Sequence, residues 1–227
     1  SWKSAGEAFL NLARAQGWTP GVIGSSEAGA KMYAQLGLNA TVFGDEAVVI
    51  VRDFSIENPA MHDVAQVMRR AKRENYQVKI RRQAEIPATE LSDLTKLTEQ
   101  WRNGDERGYS MASSRFGDPT DQQIMIVTAS DAAGKVQGIL SFVPVGSDKL
   151  SLDTMRRSPE AMNGAVTFMI SSLIEAAKEK EISEISLNFA AARQFFINGE
   201  TLQANALDKA ARTVMKFFSR WYQLESL

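Results

Sequence analysis

The sequence contains no cysteine, and His62 is its only histidine among 227 residues. Without thiols the chain can form neither a disulfide nor a thiolate nucleophile, and it cannot hold a metal through cysteine. One imidazole also excludes a multi-histidine metal site and a histidine relay. We therefore predict no metal site.

Long apolar runs are absent as well. No stretch of about 18 or more consecutive apolar residues occurs, and the first residues do not resemble a signal peptide. Hydrophobic residues make up 44% of the chain and charged residues 23%. This balance predicts a globular unit made of one large domain or two small lobes. Both ends lie in helix-like text, so we expect a domain excised from a longer protein.

The chain has no large excess of either charge, because its formal net charge is −1. Basic residues are nevertheless concentrated in one segment, with Glu74 as its only acid: Arg69, Arg70, Lys72, Arg73, Lys79, Arg81 and Arg82. Two interpretations stay open for this segment. It is either a solvated helix end followed by an edge strand protected by charge, or a patch that binds phosphate groups.

Hydrophobic periodicity predicts the elements of the first half. Apolar residues recur at helical spacing after Pro59, which predicts a helix over about 59–74, and alternation predicts a strand over 76–82. A short helix is expected over 26–37. Two β-rich runs separated by Gly44 and Asp45 predict a hairpin.

The second half repeats this plan. It predicts a hairpin over 122–146, a strand from Lys149, a helix capped by Asn163, a buried strand over 182–190 and a last helix over 206–227. A helical connector over 91–104 separates the two copies. The repeat predicts an α+β fold of two related lobes, 1–102 and 103–227, which share a continuous sheet or a cleft.

Charged residues stand where the strand from Lys149 meets the helix that follows it. The segment "KLSLDTMRRSPEAMNGAV" places Asp153, Arg156 and Arg157 at this junction. Charges between a buried strand and a helix start are costly to the fold unless they bind something. The junction is therefore a candidate site, with a structural ion pair as the alternative.

This lobe plan resembles the acetyltransferase-like (GNAT) fold, in which a strand leads into a helix whose N-terminus faces the donor. Members that use coenzyme A hold its pyrophosphate there in a glycine-rich turn. The corresponding turn, "RRSPEAMNGA", contains Pro159, Glu160 and a single late glycine, Gly164. A donor other than acyl-coenzyme A is therefore favoured, and we predict no bound cofactor.

Several stretches in order resemble one family over nearly the whole chain. They are "SSEAGAKMYAQLGL", "GDEAVVIVRDFSI", "PAMHDVAQVMRRAKRENYQVKIRR", "GDERGYSMASSRFGDPTD", "FVPVG", "LSLDTMRRSPEAMNG", "ISLNFAAARQFF" and "WYQLESL". Together they resemble the C-terminal transferase domain of phosphatidylglycerol lysyltransferases, the multiple peptide resistance factor family. The likeness is greatest to actinobacterial proteins in which this domain is fused to a lysyl-tRNA synthetase.

The resemblance implies tandem acetyltransferase-like lobes with mixed sheets flanked by helices. It implies transfer of an aminoacyl group, with lysine expected, from aminoacyl-tRNA to a hydroxyl of phosphatidylglycerol or a related glycerolipid. It also implies a domain at the cytoplasmic face of the membrane, attached to a transmembrane region and in some proteins to a synthetase domain. In the family an Asp and an Arg three residues later are essential, and Asp153 and Arg156 occupy those positions.

These two residues suit the implied chemistry. Asp153 could accept the proton of the acceptor hydroxyl or hold the α-ammonium of the donor, and the planar fork of Arg156 could clamp the lipid phosphate. Further candidate substrate-binding residues come from the polar loop between the lobes and from the strand ends: Glu106, Arg115, Phe116, Arg157 and Asn188. For Asn188, satisfaction by backbone groups is an equal alternative.

Other functions remain open at the level of sequence. A coenzyme-A-dependent N-acetyltransferase would have the same fold. A Fem-type peptidoglycan aminoacyltransferase would use the same tRNA donor but an amine acceptor. A non-catalytic module that binds tRNA or membrane is supported only by the basic segment.

Overall fold

The computed structural model describes residues 2–22, 24–41, 44–102 and 116–191. The described residues fall into two compact units, one with those of 1–45 together with residue 191 and the other with those of 46–190. None of the described helices is long and apolar enough to cross a membrane.

The described part of the first unit is helical, with α1 over Trp2–Ala15 and α2 over Glu27–Gln35. Helix α2 begins after Ser26, whose hydroxyl accepts a hydrogen bond from the Gly29 N–H at 3.2 Å, as an N-cap residue does. The chain leaves α2 through Gly37, whose φ of +90° suits a residue without Cβ. The predicted short helix is thus confirmed.

The second unit is built on a six-stranded sheet. Its elements in chain order are β1 Gly44–Ile50, α3 His62–Arg73, β2 Gln77–Arg82, α4 Ala88–Gln100, β3 Met125–Ser130, β4 Val136–Val145, β5 Lys149–Arg157, α5 Ala165–Ala177 and β6 Glu184–Ala191. Single 3-10 turns over Val51–Asp53, Pro59–Met61 and Gln83–Glu85 lie between them.

The strand order is β1-β6-β5-β4-β3-β2. Strands β2 to β5 pair antiparallel in sequence, whereas β6 pairs parallel to β5. Parallel neighbours need a crossover, and α5 supplies it. The predicted fold class is confirmed, since the structure is α+β with a mixed sheet flanked by helices and contains the strand–helix–strand unit expected of the acetyltransferase-like plan.

The sheet takes β1 and β2 from the first predicted lobe and its other strands from the second. A continuous sheet was one of the two arrangements expected for paired lobes. The boundary after residue 102 and the tandem relation of the lobes stay predictions.

Helices cover both faces of the sheet, so the central strands are apolar on both sides. From β3, Met125 and Val127 belong to the core beneath α5, together with Leu140 and Phe142 of β4. Ile126 instead belongs to the smaller cluster beneath α4. Helix α3 packs beside α5, where buried Ala71 contacts the cluster of Phe168.

Two predictions about local structure are wrong. The chain does not turn at Gly44 and Asp45, because both belong to strand β1 and mark its start; residues 42–43 lie outside the described range. The N-cap of α5 is Gly164 rather than Asn163. Gly164 has φ +88°, and a Cβ there would approach a methyl carbon of Val67 to 2.7 Å, so close helix packing selects glycine at this position. The predicted last helix lies outside the described residues.

Candidate active site at a bulge in the sheet

Asp153 is the extra residue of a β-bulge. Ser141 stands opposite Thr154 and Phe142 stands opposite Leu152, so Asp153 has no partner in the register with β4. Fully buried Ser141 organises the bulge, because its Oγ accepts from the Thr154 N–H at 3.1 Å and donates to Asp153 Oδ2 at 3.5 Å. Bulges bend a strand and redirect a side chain, and they are frequent beside active sites.

Asp153 and Arg156 lie on the same face of the sheet. Leu140 and Phe142 point into the core beneath α5, so Ser141 between them, and the Asp153 carboxylate bonded to it, lie on the opposite face. Arg156 is paired with Ile139, whose side chain belongs to the cluster beneath α4 on that opposite face. Both charged side chains are half-buried. The bulge therefore brings the two predicted catalytic residues to one surface.

Asn188 supports the bulge from the neighbouring strand. Its Nδ2 donates to the Leu152 carbonyl at 3.2 Å, directly before Asp153, and its backbone has φ +75°. Its N–H donates to Ser186 Oγ at 3.1 Å, and the Ser186 hydroxyl donates to Glu46 Oε1 at 2.6 Å. A chain of hydrogen bonds thus runs from β1 through β6 to β5. The contact with a backbone carbonyl fits the alternative in which backbone groups satisfy Asn188, and its role in substrate binding stays a prediction.

Sequence reasoning missed Ser141, Ser186 and Glu46. One signal was available, since Ser141 interrupts the apolar run "GILSFV". A buried hydroxyl needs a hydrogen-bond partner, and a single serine in such a run indicates that one is near. The partner itself, a bulged residue of the next strand, depends on register, which the sequence does not show.

The turn between β5 and α5 is closed by its own hydrogen bonds. The N–H of Glu160 donates to Ser158 Oγ, and that of Ala161 donates to the Ser158 carbonyl, both at 3.1 Å. The Met162 N–H donates to the Tyr76 hydroxyl at 3.0 Å. These N–H groups are therefore engaged within the protein rather than available to an anion before the helix, and Val67 packs against the helix start. The turn is therefore poorly suited to coenzyme A.

The other predicted substrate residues are dispersed. Arg157 is exposed at the end of β5, opposite Gly138. Half-buried Phe116 packs against the cluster of Ile86 and Leu94 beneath α4, which is a core position. Glu106 and Arg115 lie outside the described residues.

The basic segment does not form one surface. Arg69, Arg70 and Arg73 are exposed on α3. Arg82, on the edge strand β2, donates to the Gln123 carbonyl at 3.0 Å. Arg81 makes a two-pronged ion pair with Glu90 of α4, at 2.5 and 2.9 Å.

This ion pair shifts the pKa of both partners. The hydrogen bonds from Arg81 lower the pKa of Glu90, and those same bonds raise the pKa of Arg81. Strand β2 thus fits the interpretation as a charged edge strand, and its arginines are engaged in contacts within the fold.

Comparison with known proteins shows the family to which the chain belongs. The family model described as phosphatidylglycerol lysyltransferase, C-terminal, matches residues 1–227. The chain belongs to this family. Among curated lysyltransferase-related proteins, the lysylphosphatidylglycerol biosynthesis bifunctional protein LysX of Mycolicibacterium vanbaalenii is 44% identical over 228 residues, and that of Mycobacterium tuberculosis is 42% identical. Each match covers 100% of this chain but only 21% and 20% of the relative.

Two solved structures have the same fold as this chain. L-PGS from Bacillus licheniformis superposes with a TM-score of 0.70 at 20% identity, covering 81% of this chain and 56% of that one. The C-terminal domain assigned to a lysylphosphatidylglycerol synthetase from Agrobacterium fabrum gives a TM-score of 0.70 at 18% identity, covering 86% and 62%. At these identities the likeness concerns the fold alone.

Proposed function

We propose that this chain is the transferase part of an enzyme that moves an aminoacyl group from aminoacyl-tRNA to a hydroxyl of phosphatidylglycerol. Lysine is the amino acid that we propose. The observation that carries the proposal is the bulge that brings Asp153 to the same face as Arg156. Membership of the lysyltransferase family and the name of the LysX relatives support the substrate assignment.

The reaction exchanges one ester for another, so it needs positioning and charge stabilisation more than driving force. The lipid hydroxyl oxygen attacks the ester carbonyl carbon, and the bond from that carbon to the ribose oxygen breaks. Asp153 takes the proton of the lipid hydroxyl and returns it to the departing ribose oxygen. In an alternative role Asp153 holds the α-ammonium of the amino acid. Arg156 binds the lipid phosphate through its planar fork.

The partners that follow are aminoacyl-tRNA as donor and a membrane phospholipid as acceptor. Because the chain spans about a fifth of its curated relatives, we place it in a larger protein at the cytoplasmic face of the membrane. A transmembrane region and, as in a bifunctional relative, a lysyl-tRNA synthetase domain are the expected attachments.

The alternatives have weaker support. The closed turn before α5 argues against a coenzyme-A-dependent N-acetyltransferase. No contact in the described residues favours the amine acceptor of a Fem-type enzyme. A binding module without catalysis would leave the arrangement of Ser141, Asp153 and Asn188 without a purpose.

The decisive experiment supplies each substrate separately. The protein is incubated with phosphatidylglycerol vesicles and with lysyl-tRNA or alanyl-tRNA. Mass spectrometry of the extracted lipid should show an aminoacyl ester that depends on charged tRNA. Parallel reactions contain acetyl-coenzyme A with an amine acceptor, or a lipid-linked peptide amine with charged tRNA. A product only in one of those reactions, or none anywhere, would overturn the proposal.

A further inference from the structure

A pocket of about 760 Å³ lies on the outer side of α3, within the second unit. Its walls are the turn over residues 56–59, helix α3 itself, the connection from α3 to β2, and Phe168 of α5. Helix α3 packs beside α5, which covers one face of the sheet, whereas Asp153 and Arg156 lie on the opposite face. The pocket is therefore separate from the candidate active site.

The floor of the pocket is apolar and firmly held. Ala65 and Met68 of α3 line it together with Tyr76 and Phe168, whose rings meet edge to face with centroids 6.4 Å apart. The Tyr76 hydroxyl is fixed by the Met162 N–H. Such a floor is suited to hydrocarbon or to the face of a small molecule.

The rim of the pocket is cationic. Arg69 and Lys72 lie on it, with Glu57 as the one acidic residue among those that line the pocket. Both cations are exposed, and neither forms an ion pair within the described residues. Other lysines do form ion pairs: Lys135 pairs with Glu160 and Lys149 with Glu184, both at 2.6 Å. The rim thus leaves two positive charges beside an apolar floor.

The extent of this charge favours a small anionic group over a nucleic acid. Beyond the last turns of α3 the arginines of the basic segment are engaged within the fold, because Arg81 pairs with Glu90 on the α4 side of the sheet and exposed Arg82 donates to the Gln123 carbonyl. A tRNA stem presents phosphates along a length that needs several separated cations. A phospholipid offers one phosphate joined to hydrocarbon, which matches two cations beside an apolar floor.

We propose that the α3 pocket binds the headgroup of an anionic phospholipid and thereby attaches this unit to the membrane surface. Arg69 and Lys72 contact the phosphate, and the glycerol and first acyl carbons cover Met68 and Tyr76. This lipid is distinct from the acceptor at Asp153, so the proposal stands independently of the transfer reaction and is measured by binding alone.

The test compares two charge-matched variants of the same helix. Arg69→Gln with Lys72→Gln removes the two cations of the pocket, whereas Arg70→Gln with Arg73→Gln removes two exposed cations that do not line it. Co-sedimentation of the 227-residue chain with vesicles of phosphatidylcholine containing phosphatidylglycerol measures binding. We expect the pocket variant to bind at least about tenfold more weakly and the control variant less than about threefold. An equal loss of vesicle binding in the two variants would show that the cations attract the membrane diffusely, and it would overturn the proposal of a lipid site in this pocket.

Further ligands identify what the pocket recognises. Short-chain phosphatidylglycerol in solution should bind more tightly than glycerophosphoglycerol, which lacks acyl chains, and inorganic phosphate should bind least. Equal affinity for the three ligands would show that the acyl chains do not contact the apolar floor, and this result would overturn the proposal. A pocket variant that keeps vesicle binding but loses tRNA binding would assign the cations to RNA and overturn it as well. Thermal melts accompany each variant, and unchanged melting shows that exposed residues were altered without loss of the fold.

Discussion

At the scale of single residues, the candidate site depends on one inserted position in β5. Asp153 follows Leu152 and so faces away from the apolar core that Leu150 and Leu152 enter, but without the extra residue strict alternation would turn Arg156, three positions later, into that core. The bulge lets Asp153 share a face with Arg156, and Ser141 and Asn188 hold the strand on either side of it. The neighbours of Asp153 thus serve its placement, which is what preorganised catalysis requires.

Replacement of the two charged residues separates a catalytic site from a structural ion pair. Arg156→Lys keeps the charge but loses the two-pronged donor, and Asp153→Asn keeps the shape but loses the negative charge. We expect aminoacyl-lipid formation to fall at least about 100-fold in either variant, with melting lowered by no more than a few degrees. Mass spectrometry beside thermal melts provides both readouts. Clear destabilisation with near-normal turnover per folded molecule would return both residues to a scaffold role.

Ser141 should behave as a positioning residue. Ser141→Ala removes the acceptor of the Thr154 N–H and the donor to Asp153, which we expect to lower kcat while KM for the lipid changes little. The free energy of unfolding should fall by about 1–2 kcal/mol, because a buried N–H loses its partner. Ser141→Thr keeps the hydroxyl and is the matched control. Equal kcat in Ser141→Ala and the natural protein would show that the bulge places Asp153 without this hydroxyl.

At the scale of elements, α4 is fastened to β2 by the pair Arg81–Glu90. The Arg81 side chain is 21% exposed and that of Glu90 is 37% exposed, so solvent screens the pair only in part. Beside it, fully buried Gln83 accepts from the Gly117 N–H at 3.0 Å and donates to the Asp118 carbonyl at 2.7 Å. Polar contacts therefore add to the apolar cluster beneath α4 in holding this edge of the sheet together.

The stability that this pair contributes should depend on pH. The pKa of Glu90 is lowered in the fold below the ordinary glutamate value of 4.5, so the contribution is present above that value and is lost as pH falls through the lowered pKa. Glu90→Gln should cost about 1–2 kcal/mol at neutral pH, between the values for exposed and buried pairs. The difference in melting temperature between the natural chain and this variant should shrink toward zero in strong acid. A difference that stays constant across the acid range would contradict the assignment.

Elements with clear periodicity were predictable and elements set by contacts between distant segments were not. Strand β3 and helix α5 carry apolar patterns that fix their type before any packing is known. Gly44 and Asp45 form a turn-like dipeptide, yet pairing within the sheet makes them the start of β1. Asn163 is a good N-cap by composition, but the approach of Val67 selects Gly164 instead. Asp153 was found as a candidate from its charge, whereas the bulge that directs it depends on register.

At the scale of the whole molecule, the sheet of the second unit crosses the predicted boundary between lobes. Strand β2 pairs with β3 along its full length, from Gln77 opposite Ser130 to Arg82 opposite Met125. The two strands are separated by more than 40 residues in sequence, yet both contribute side chains to the core beneath α5. The division after residue 102 stays a prediction, and from the shared ladder we expect that the two predicted lobes are not independent units of stability.

Hydrogen exchange measures directly whether the two predicted lobes open independently. We expect amides of β3 and β4 to exchange most slowly, because both strands are paired on each side and their central residues, among them Val127, Ile139 and Leu140, are at most 1% exposed. Amides on the inner edge of β2 should open together with those of β3, with the same dependence on denaturant, since the ladder joins them. The helices of the first unit, which bury few residues and leave Trp2 71% exposed, should exchange faster. If β2 instead opened with α1 and α2, well before β3, the lobes would be independent units of stability, and residue 102 would mark a boundary that the shared ladder does not bridge.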